Sequence, residues 1–429
     1  MRFARRYVTQ LRQFAPNARW YLVYTFLSGL GFGIYRLFYN LYVLSLGNNA
    51  AFLGLLVAVP GLVITVLALP IGALGARTGF RATLIAGVAI MIGSLIGIAQ
   101  ETSALALILL AATLGLSRGL LDVSNAPFVA ENSADRERTH LFSVQFAVRI
   151  FAGFFGYSLA GALPALFSRM LNVGAESPQA YRAALLCGAG VFFVALLPLL
   201  RLKDRSRDAA SGSAGSQGLS STHPVAPPAE SSPSRLPVRL LIRLFTPEIA
   251  IGLGAGALVP FLNVFFKTKF GVSDALLGIL YAGQSVAMGV AILLGPILAA
   301  RLGRPRAVVA TQLLSIPFLI LLGFTPFVAP AAIGFLMRAS LMNMGHPLYS
   351  AFSMDQVGPK YRALASGLLV MTSQGSRALS SWLSGILQEG PGFTPVFAIT
   401  CVCYFTASVL IFAFFIRSKQ NRYRSATRS

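Results

Sequence analysis

Residues 29–40 read GLGFGIYRLFYN, and residues 252–263 read GLGAGALVPFLN. The two stretches share Gly29, Gly31, Gly33, Phe38 and Asn40 with their counterparts at a constant offset of 223 positions. Leu53, Gly54, Ala58, Arg77 and Gly79 recur at an offset of 224, and Arg118, Leu121 and Pro127 recur at 220. Because the matches keep their order along the chain, the sequence predicts an internal duplication.

The apolar content of the 429-residue chain indicates that it lies in a membrane. Hydrophobic residues make up 55% of it and charged residues 11%, with a mean hydropathy of +0.71. A helix needs roughly 20 apolar residues to cross the hydrocarbon core, and each half supplies six such runs. They cover residues 20–46, 53–74, 82–99, 105–129, 141–165, 183–202, 249–266, 276–299, 307–327, 329–354, 364–387 and 393–416. The sequence therefore predicts an all-α membrane protein with twelve transmembrane helices in two pseudo-symmetric six-helix bundles.

The polar segments divide the chain into five parts. We expect a basic N-terminal segment over 1–19, bundles over 20–202 and 241–416, and a basic tail over 417–429. Between the bundles, 203–240 is rich in Ser, Ala, Pro and Gly, which predicts a flexible linker. Thr246, Pro247 and Glu248 have the pattern of a helix cap, a first-turn proline and a dipole-matched acid. This pattern predicts that the seventh helix begins there and gives Glu248 a structural role.

The basic residues that produce the net charge of +22 flank the apolar spans and form no single patch. Loops on one side carry only Arg169, Arg182, Lys267 and Lys269, and the other side carries the bulk of the charge. The positive-inside rule then predicts a multi-pass protein of the cell (cytoplasmic) membrane with both termini and the linker in the cytoplasm. Its surroundings are a lipid bilayer, and we expect no nucleic-acid partner.

Motifs for chemistry are missing from the sequence. No phosphate-binding loop, metal-ligand cluster or catalytic set appears, and Cys187, Cys401 and Cys403 all fall inside apolar spans. We therefore expect no cofactor, no metal site and no enzymatic activity. We also expect a monomer, and a chain without a phosphate-binding loop would draw on gradients, not on ATP, for any movement of a solute.

The plan of two six-helix halves with a long middle loop resembles the major facilitator superfamily of secondary transporters, in its bacterial type, over essentially the whole chain. The family motif between helices two and three reads approximately G-x-x-x-D-R-x-G-[RK]-[RK]. This sequence has Gly72, Arg77, Gly79 and Arg81 there, with Ala76 at the acidic position. The second copy has Ala300, Arg301, Gly303, Arg304 and Arg306. The resemblance implies alternating access, gating loops at Arg77, Gly79, Arg81, Arg301 and Gly303, and a substrate cavity lined by helices one, four, seven and ten.

Ionisable residues inside the spans are expensive in hydrocarbon, at about 3 kcal/mol or more each, and therefore mark functional candidates. They are Arg36, Arg118, Asp122, Arg149, Arg338, His346 and Arg377. On the helices that the resemblance assigns to the cavity, we predict cavity residues at Arg36, Asn40, Arg118, Asn263, Arg338 and His346. The repeat partner of Arg36 is Val259, an asymmetry that a pseudo-symmetric scaffold does not require.

Two residues are candidates for carrying the proton that would couple transport to a gradient. Asp122 stands four residues after Arg118, a spacing suited either to an intrahelical ion pair or to a proton-carrying acid beside a cation. His346 titrates near neutral pH and is the alternative proton relay, or a hydrogen-bonded residue that bends its helix. Gln145 with Arg149, and Gln374 with Arg377, form two more polar faces that either make interhelix bonds or serve the transport path.

Three functions fit this pattern. The favoured hypothesis is proton-coupled efflux of a drug-like or metabolic compound. The excess of intramembrane arginines favours the alternative of organic-anion uptake or exchange. A transporter-shaped sensor or scaffold that moves nothing is the hypothesis from another class.

Overall fold

The computed structural model describes residues 16–132, 135–202, 238–357 and 361–417, which form twelve helices in these ranges. They are α1 (Pro16–Ser45), α2 (Ala50–Thr78), α3 (Phe80–Gln100), α4 (Ala104–Glu131), α5 (Asp135–Leu171), α6 (Pro178–Leu200), α7 (Val238–Phe270), α8 (Asp274–Leu302), α9 (Arg304–Phe324), α10 (Val328–Gln356), α11 (Arg362–Glu389) and α12 (Phe393–Arg417). A 3₁₀ turn at Val259–Phe261 interrupts α7. Twelve helices in two halves confirm the predicted fold class.

Helix α7 begins at Val238, so the predicted helix start at Thr246 is wrong. Pro247 lies inside the helix, and the Thr246 hydroxyl donates to the carbonyl of Ile242 at 2.7 Å instead of capping a helix start. Leu241 and Leu244 precede the proline and are buried in an apolar cluster of the C-terminal half. This packing extends the helix to the N-terminal side of Pro247, although the proline has no N–H to donate and so one backbone hydrogen bond of the helix is lost.

Nine of the described helices are long and apolar enough to cross a membrane. The other three are α1, α10 and α11, which carry several of the predicted polar site residues. A helix that directs a polar face toward a protein interior has lower hydropathy than one that faces lipid throughout. The three helices of lower hydropathy therefore point to a polar interior in the molecule.

The two halves meet along two symmetry-related helix pairs, α2 with α11 and α5 with α8. Gly54 faces Gly385 in the first pair, and Gly278 faces Gly161 in the second. A Cβ added at Gly54 or at Gly278 would lie 2.7 Å from the Cα of the facing glycine. The two contacts are related by the internal duplication: Gly278 is the repeat partner of Gly54, and Gly385 is the repeat partner of Gly161, each at an offset of 224. Glycine is required at both crossings because the backbones approach so closely.

The duplication also repeats two turns. Gly79 alone joins α2 to α3 with φ of 87°, and Gly303 alone joins α8 to α9 with φ of 79°. We call the end of the molecule where α1 begins the terminal end and the end where α1 finishes the opposite end. Both glycine turns lie at the terminal end, and both glycine crossings lie toward the opposite end.

The predicted N-terminal segment, tail and linker fall almost wholly on residues 1–15, 418–429 and 203–237, which lie outside the described residues.

Candidate functional site

Two adjoining cavities lie between the halves, each with a volume of about 210 Å³. Both are lined by Arg36 of α1, Tyr281 of α8 and Arg377 of α11, together with Ala255 and Val259 of α7. The first cavity extends among helices of the C-terminal half, and the second extends between α1, α2, α4, α7 and α11. Because they share these residues, we treat them as one central site with two lobes, the first lobe and the second lobe.

Arg36 occupies the centre of the site. Tyr157 and Tyr281 line the first lobe with it, and their rings lie 5.3 Å apart across the α5 and α8 contact. Its repeat partner, Val259, lines the same lobes with an apolar side chain. Arg36 therefore lines both lobes, with tyrosines from both halves around it.

Arg377 reaches the same centre from the other half. Its Nε donates to the Ser373 hydroxyl at 3.4 Å, and Gln374 lines the second lobe beside it. The sequence placed both residues on a polar face of one helix. The structure turns that face toward Arg36, so a second arginine joins the central site.

Arg338 lies deep in the first lobe and is 3% exposed. One terminal nitrogen donates to the Tyr404 hydroxyl, and the guanidinium carbon stands 5.6 Å from the centre of the Tyr404 ring. The buried Nε of Arg338 has no hydrogen-bond partner among the described residues. The sequence pointed to Arg338 but not to Tyr404, which sits in one of the most apolar spans and has no local polar pattern around it.

Arg118 lines the second lobe and does not pair with Asp122. The ion pairs within 4.0 Å among the described residues join Lys267 to Glu176 and to Asp274, and Arg304 to Asp355. The predicted Arg118–Asp122 ion pair is therefore wrong. Spacing of four residues permits a contact on one helix, but here Arg118 lines the second lobe together with Tyr35 of α1. Asp122 is exposed and lines neither lobe.

Acidic and titratable groups gather where the first lobe approaches the terminal end. Glu248 of α7 lines this lobe, is 5% exposed and belongs to none of the described ion pairs. Tyr349 of α10 lines the same lobe one turn after the exposed His346, and its hydroxyl donates to the carbonyl of Leu244 on α7. Glu248 is a site residue that the sequence reading assigned to a helix cap. Its buried position follows from the early start of α7, which the local sequence obscured.

The N-terminal half holds a separate polar cluster near the terminal end. Gln145 is buried and donates to Asn125 Oδ1 at 2.6 Å, and the Tyr21 hydroxyl donates to the same oxygen at 2.5 Å. These bonds join α1, α4 and α5, so Gln145 makes an interhelix bond. Arg149 and Asp122 are exposed and line neither lobe.

Asn40 and Asn263 close the site toward the opposite end. Asn40 Nδ2 donates to the carbonyl of Pro260 at 2.6 Å and to Asn263 Oδ1 at 3.2 Å, and Asn263 Nδ2 donates to the carbonyl of Leu37 at 2.8 Å. Asn40 also lines the second lobe, whereas Asn263 is 1% exposed and lines neither lobe. The hydrogen bonds of this pair therefore join the two halves.

A network of ion pairs also joins the two halves at the opposite end. Lys267 Nζ lies 2.5 Å from Glu176 Oε1 and 2.9 Å from Asp274 Oδ1, and the Tyr181 hydroxyl donates to the same Asp274 oxygen at 3.3 Å. Glu176 and Tyr181 belong to the N-terminal half, and Lys267 and Asp274 to the C-terminal half. The network thus ties the halves together at the opposite end.

The residues of the two short turns lie at the terminal end, apart from the central site. Arg77, Arg301 and Gly303 are exposed, and Gly79 is half-buried. Arg81 donates to the carbonyl of Leu200 at 3.0 Å, a contact within the N-terminal half. In the second copy, Arg304 pairs with Asp355 at the end of α10.

Two pseudo-symmetric helix bundles around a polar internal cavity form the architecture of a membrane transporter. A sequence model of the Major Facilitator Superfamily matches residues 21–248 and again residues 244–429. The chain belongs to the Major Facilitator Superfamily. Among curated protein sequences none matches it.

Solved transporter structures share the fold at low sequence identity. The D-xylose-proton symporter has a TM-score of 0.70 at 16% identity, covering 92% of this chain and 97% of that one. The nucleoside transporter NupG has a TM-score of 0.66 at 16% identity, covering 93% and 98%. A bacterial homologue of the human lysosomal transporter Spinster, in an inward-facing and occupied conformation, has a TM-score of 0.66 at 15% identity, with 96% of each chain covered. At these identities the likeness establishes the fold alone.

Proposed function

We propose that this protein moves a small organic anion across the membrane by alternating access. One observation carries the proposal: among the described residues, the lobes are lined by the four arginines Arg36, Arg118, Arg338 and Arg377, against the single carboxylate of Glu248. Both lobes share Arg36 and Arg377. The site therefore carries a marked excess of positive charge.

This excess supports an anionic substrate on physical grounds. Positive charge inside a low-dielectric cleft concentrates anions there, and the guanidinium fork matches the geometry of carboxylate and phosphate groups. Arginines within the membrane also need a counterion, because an unpaired charge in this environment is costly. A bound anion would offset that cost during each cycle.

Alternating access is supported by the way the halves meet. The close glycine crossings and the Asn40–Asn263 contact hold the halves together toward the opposite end, and the first lobe extends toward the terminal end as far as Glu248 and Tyr349. Rocking of the halves about a fixed central site would exchange the closed and open ends. In this scheme the turns with Arg77, Gly79, Arg81, Arg301 and Gly303 act as gating elements at the terminal end.

The charge asymmetry of the sequence supports a cytoplasmic location for the terminal end, in the cytoplasmic membrane. The functional unit in this proposal is a monomer, because one chain encloses a whole central site. Organic-anion uptake or exchange then becomes the leading candidate, ahead of efflux of a neutral drug-like compound.

Thermal shift of the purified protein tests the substrate class, because a ligand that binds the folded state stabilises it by about 2.7 kcal/mol at a hundredfold excess over Kd. The ligands are matched pairs of a carboxylic acid and its amide, such as benzoate with benzamide and nicotinate with nicotinamide. We expect at least one acid to raise the Tm more than its amide, and Arg36→Gln to remove the difference. Equal shifts for acids and amides would overturn the anion proposal.

Proton coupling with efflux is the second candidate, and one observation favours a proton site. Asp122 is exposed and free of the predicted ion pair, so its carboxylate has no arginine within 4.0 Å among the described residues. We propose Asp122 as the proton-carrying acid and His346 as an alternative relay in the first lobe. Gradient-driven transport measured against counterflow exchange separates coupling from a structural role.

A further inference from the structure

We propose that Arg338 is the anchor for the substrate's acidic group and that Tyr404 is the residue that positions it. The inference rests on the proposed function and names the subsite in which the anion binds. Arg338 has 3% of its surface exposed, lines the first lobe, and holds one polar contact, to the Tyr404 hydroxyl. Its Nε has no partner among the described residues.

Arg338 lacks a protein counterion in the described part of the chain. No carboxylate lies within 4.0 Å of it there. Tyr404, which holds Arg338, lies against Gly254 of α7, six residues after Glu248, the acid that shares the lobe. Six residues of helix correspond to about 9 Å along the axis. Glu248 is therefore in a different layer of the cavity, and a ligand is left to supply the charge that a buried guanidinium requires.

The internal duplication shows that the Tyr404 hydroxyl has no packing role of its own. A Cβ added at Gly254 would lie 3.0 Å from Tyr404 Cε1, and a Cβ added at the repeat partner Gly31 would lie 2.8 Å from Phe192 Cε2. The rings of Phe192 and Tyr404 are both fully buried and occupy equivalent places in the two halves. A phenylalanine ring is thus sufficient for this packing, and the hydroxyl is the part that serves Arg338.

The same comparison separates Arg338 from its repeat partner Arg118. Arg118 is half-buried in the second lobe, and Phe192 in its half has no hydroxyl to offer. Arg338 is held by Tyr404 through a hydrogen bond and through its ring face, at 5.6 Å. A guanidinium held in one orientation loses less side-chain entropy when it binds an anion. The geometry therefore directs the acidic group of the substrate to the C-terminal half.

The test uses the purified full-length protein and isothermal titration with benzoate and benzamide, nicotinate and nicotinamide, and indole-3-acetate and indole-3-acetamide. For the acid that binds wild type most tightly, Arg338→Gln should weaken binding about tenfold to a hundredfold and leave the amide unchanged. Tyr404→Phe keeps the ring and should weaken the acid about twofold to tenfold, again without effect on the amide. Arg338→Lys should restore part of the loss in Arg338→Gln.

Phe192→Tyr is the matched control in the other half, and it should bind the acid with nearly wild-type affinity. Variants are compared only when their Tm lies near that of wild type, and Tyr404→Phe keeps the test decisive should Arg338→Gln fail to fold. If acids bind wild type but Tyr404→Phe and Arg338→Gln bind them equally well, this inference is overturned and the proposed function stands. If no acid binds better than its amide, the proposed function fails and this inference fails with it.

Discussion

Asn40 and Asn263 are repeat partners that bond reciprocally across the pseudo-two-fold axis. Each side chain donates to the backbone carbonyl three residues before the other asparagine, at 2.6 Å to Pro260 and 2.8 Å to Leu37. Leu37 and Pro260 are themselves related by the offset of 223. The contact is therefore isologous, like the interface of a two-fold dimer, although it forms within one chain.

Breaking this contact should favour opening of the opposite end. Asn40→Ala or Asn263→Ala removes neutral hydrogen bonds worth about 0.5 to 1.5 kcal/mol each, so the open population should rise about twofold to tenfold for each bond lost. Spin labels at Ser103 and Gly390, in opposite halves, would report it as a longer distance in a cysteine-free background. Asn48→Ala is the control, because Asn48 bonds to Val43 within its own half. Unchanged distances in both test variants would contradict the role of the pair.

The glycine crossings should tolerate no side chain. Gly54→Ala brings a Cβ to 2.7 Å from the Cα of Gly385, and Gly278→Ala does the same at Gly161. Overpacking of this kind costs about 1 to 3 kcal/mol, so both variants should lower the Tm. Gly93→Ala on α3 meets nothing within 4 Å and should leave the Tm unchanged or slightly raised, since alanine favours helix. A Tm for Gly54→Ala equal to that of Gly93→Ala would refute the close packing.

The two acids that share Lys267 should differ in their effect on stability. Asp274 is 7% exposed at its side chain and Glu176 is 69% exposed. Removing one member of a buried pair costs about 3 to 5 kcal/mol because the partner is left uncompensated, so Asp274→Ala should lower the Tm strongly. Glu176→Ala removes a solvent-screened contact worth about 1 kcal/mol or less. Thermal unfolding of both variants checks the order, and a larger loss for Glu176→Ala would contradict it.

Labelling with an impermeant thiol reagent in intact cells tests the orientation. Single cysteines at Ser103 and Gly390 lie in exposed turns at the opposite end and should react from outside. A cysteine at Ser213, in the segment between the halves, should react only after the membrane is permeabilised, because the basic flanks of that segment favour the cytoplasm. Ser103 suits the test because its side chain makes no capping bond. The opposite labelling pattern would invert the proposed topology.

Substitution of Asp122 and of Glu248 should have different effects on transport if Asp122 carries the coupling proton. Asp122→Asn should abolish gradient-driven transport and leave counterflow exchange measurable, because exchange needs no net proton movement. Glu248→Gln serves as the comparison, since Glu248 lines the first lobe and Asp122 does not. Loss of both activities in Asp122→Asn would indicate a structural residue. Loss of gradient-driven transport alone in Glu248→Gln would move the proton site to α7.

Short segments of the sequence are enough to predict much of the architecture. Apolar runs of about 20 residues, repeated glycines and the charge asymmetry are properties of short segments, so they predict helices, duplication and orientation without any knowledge of packing. Arg36 and Arg338 could be identified in the same way, because an arginine within an apolar span is conspicuous wherever its helix lies. These features were determined by the sequence itself.

Tertiary packing decided which of the polar residues meet. Spacing allowed Arg118 to pair with Asp122, but in the packed bundle Arg118 lines the second lobe and Asp122 does not. Burial of Leu244 carried α7 through Pro247 and placed Glu248 inside the cavity. The contacts of Asn40 with Asn263 and of Arg338 with Tyr404 join residues far apart in the chain. Such contacts depend on how whole helices are rotated and docked, and this is set by the summed packing of many side chains.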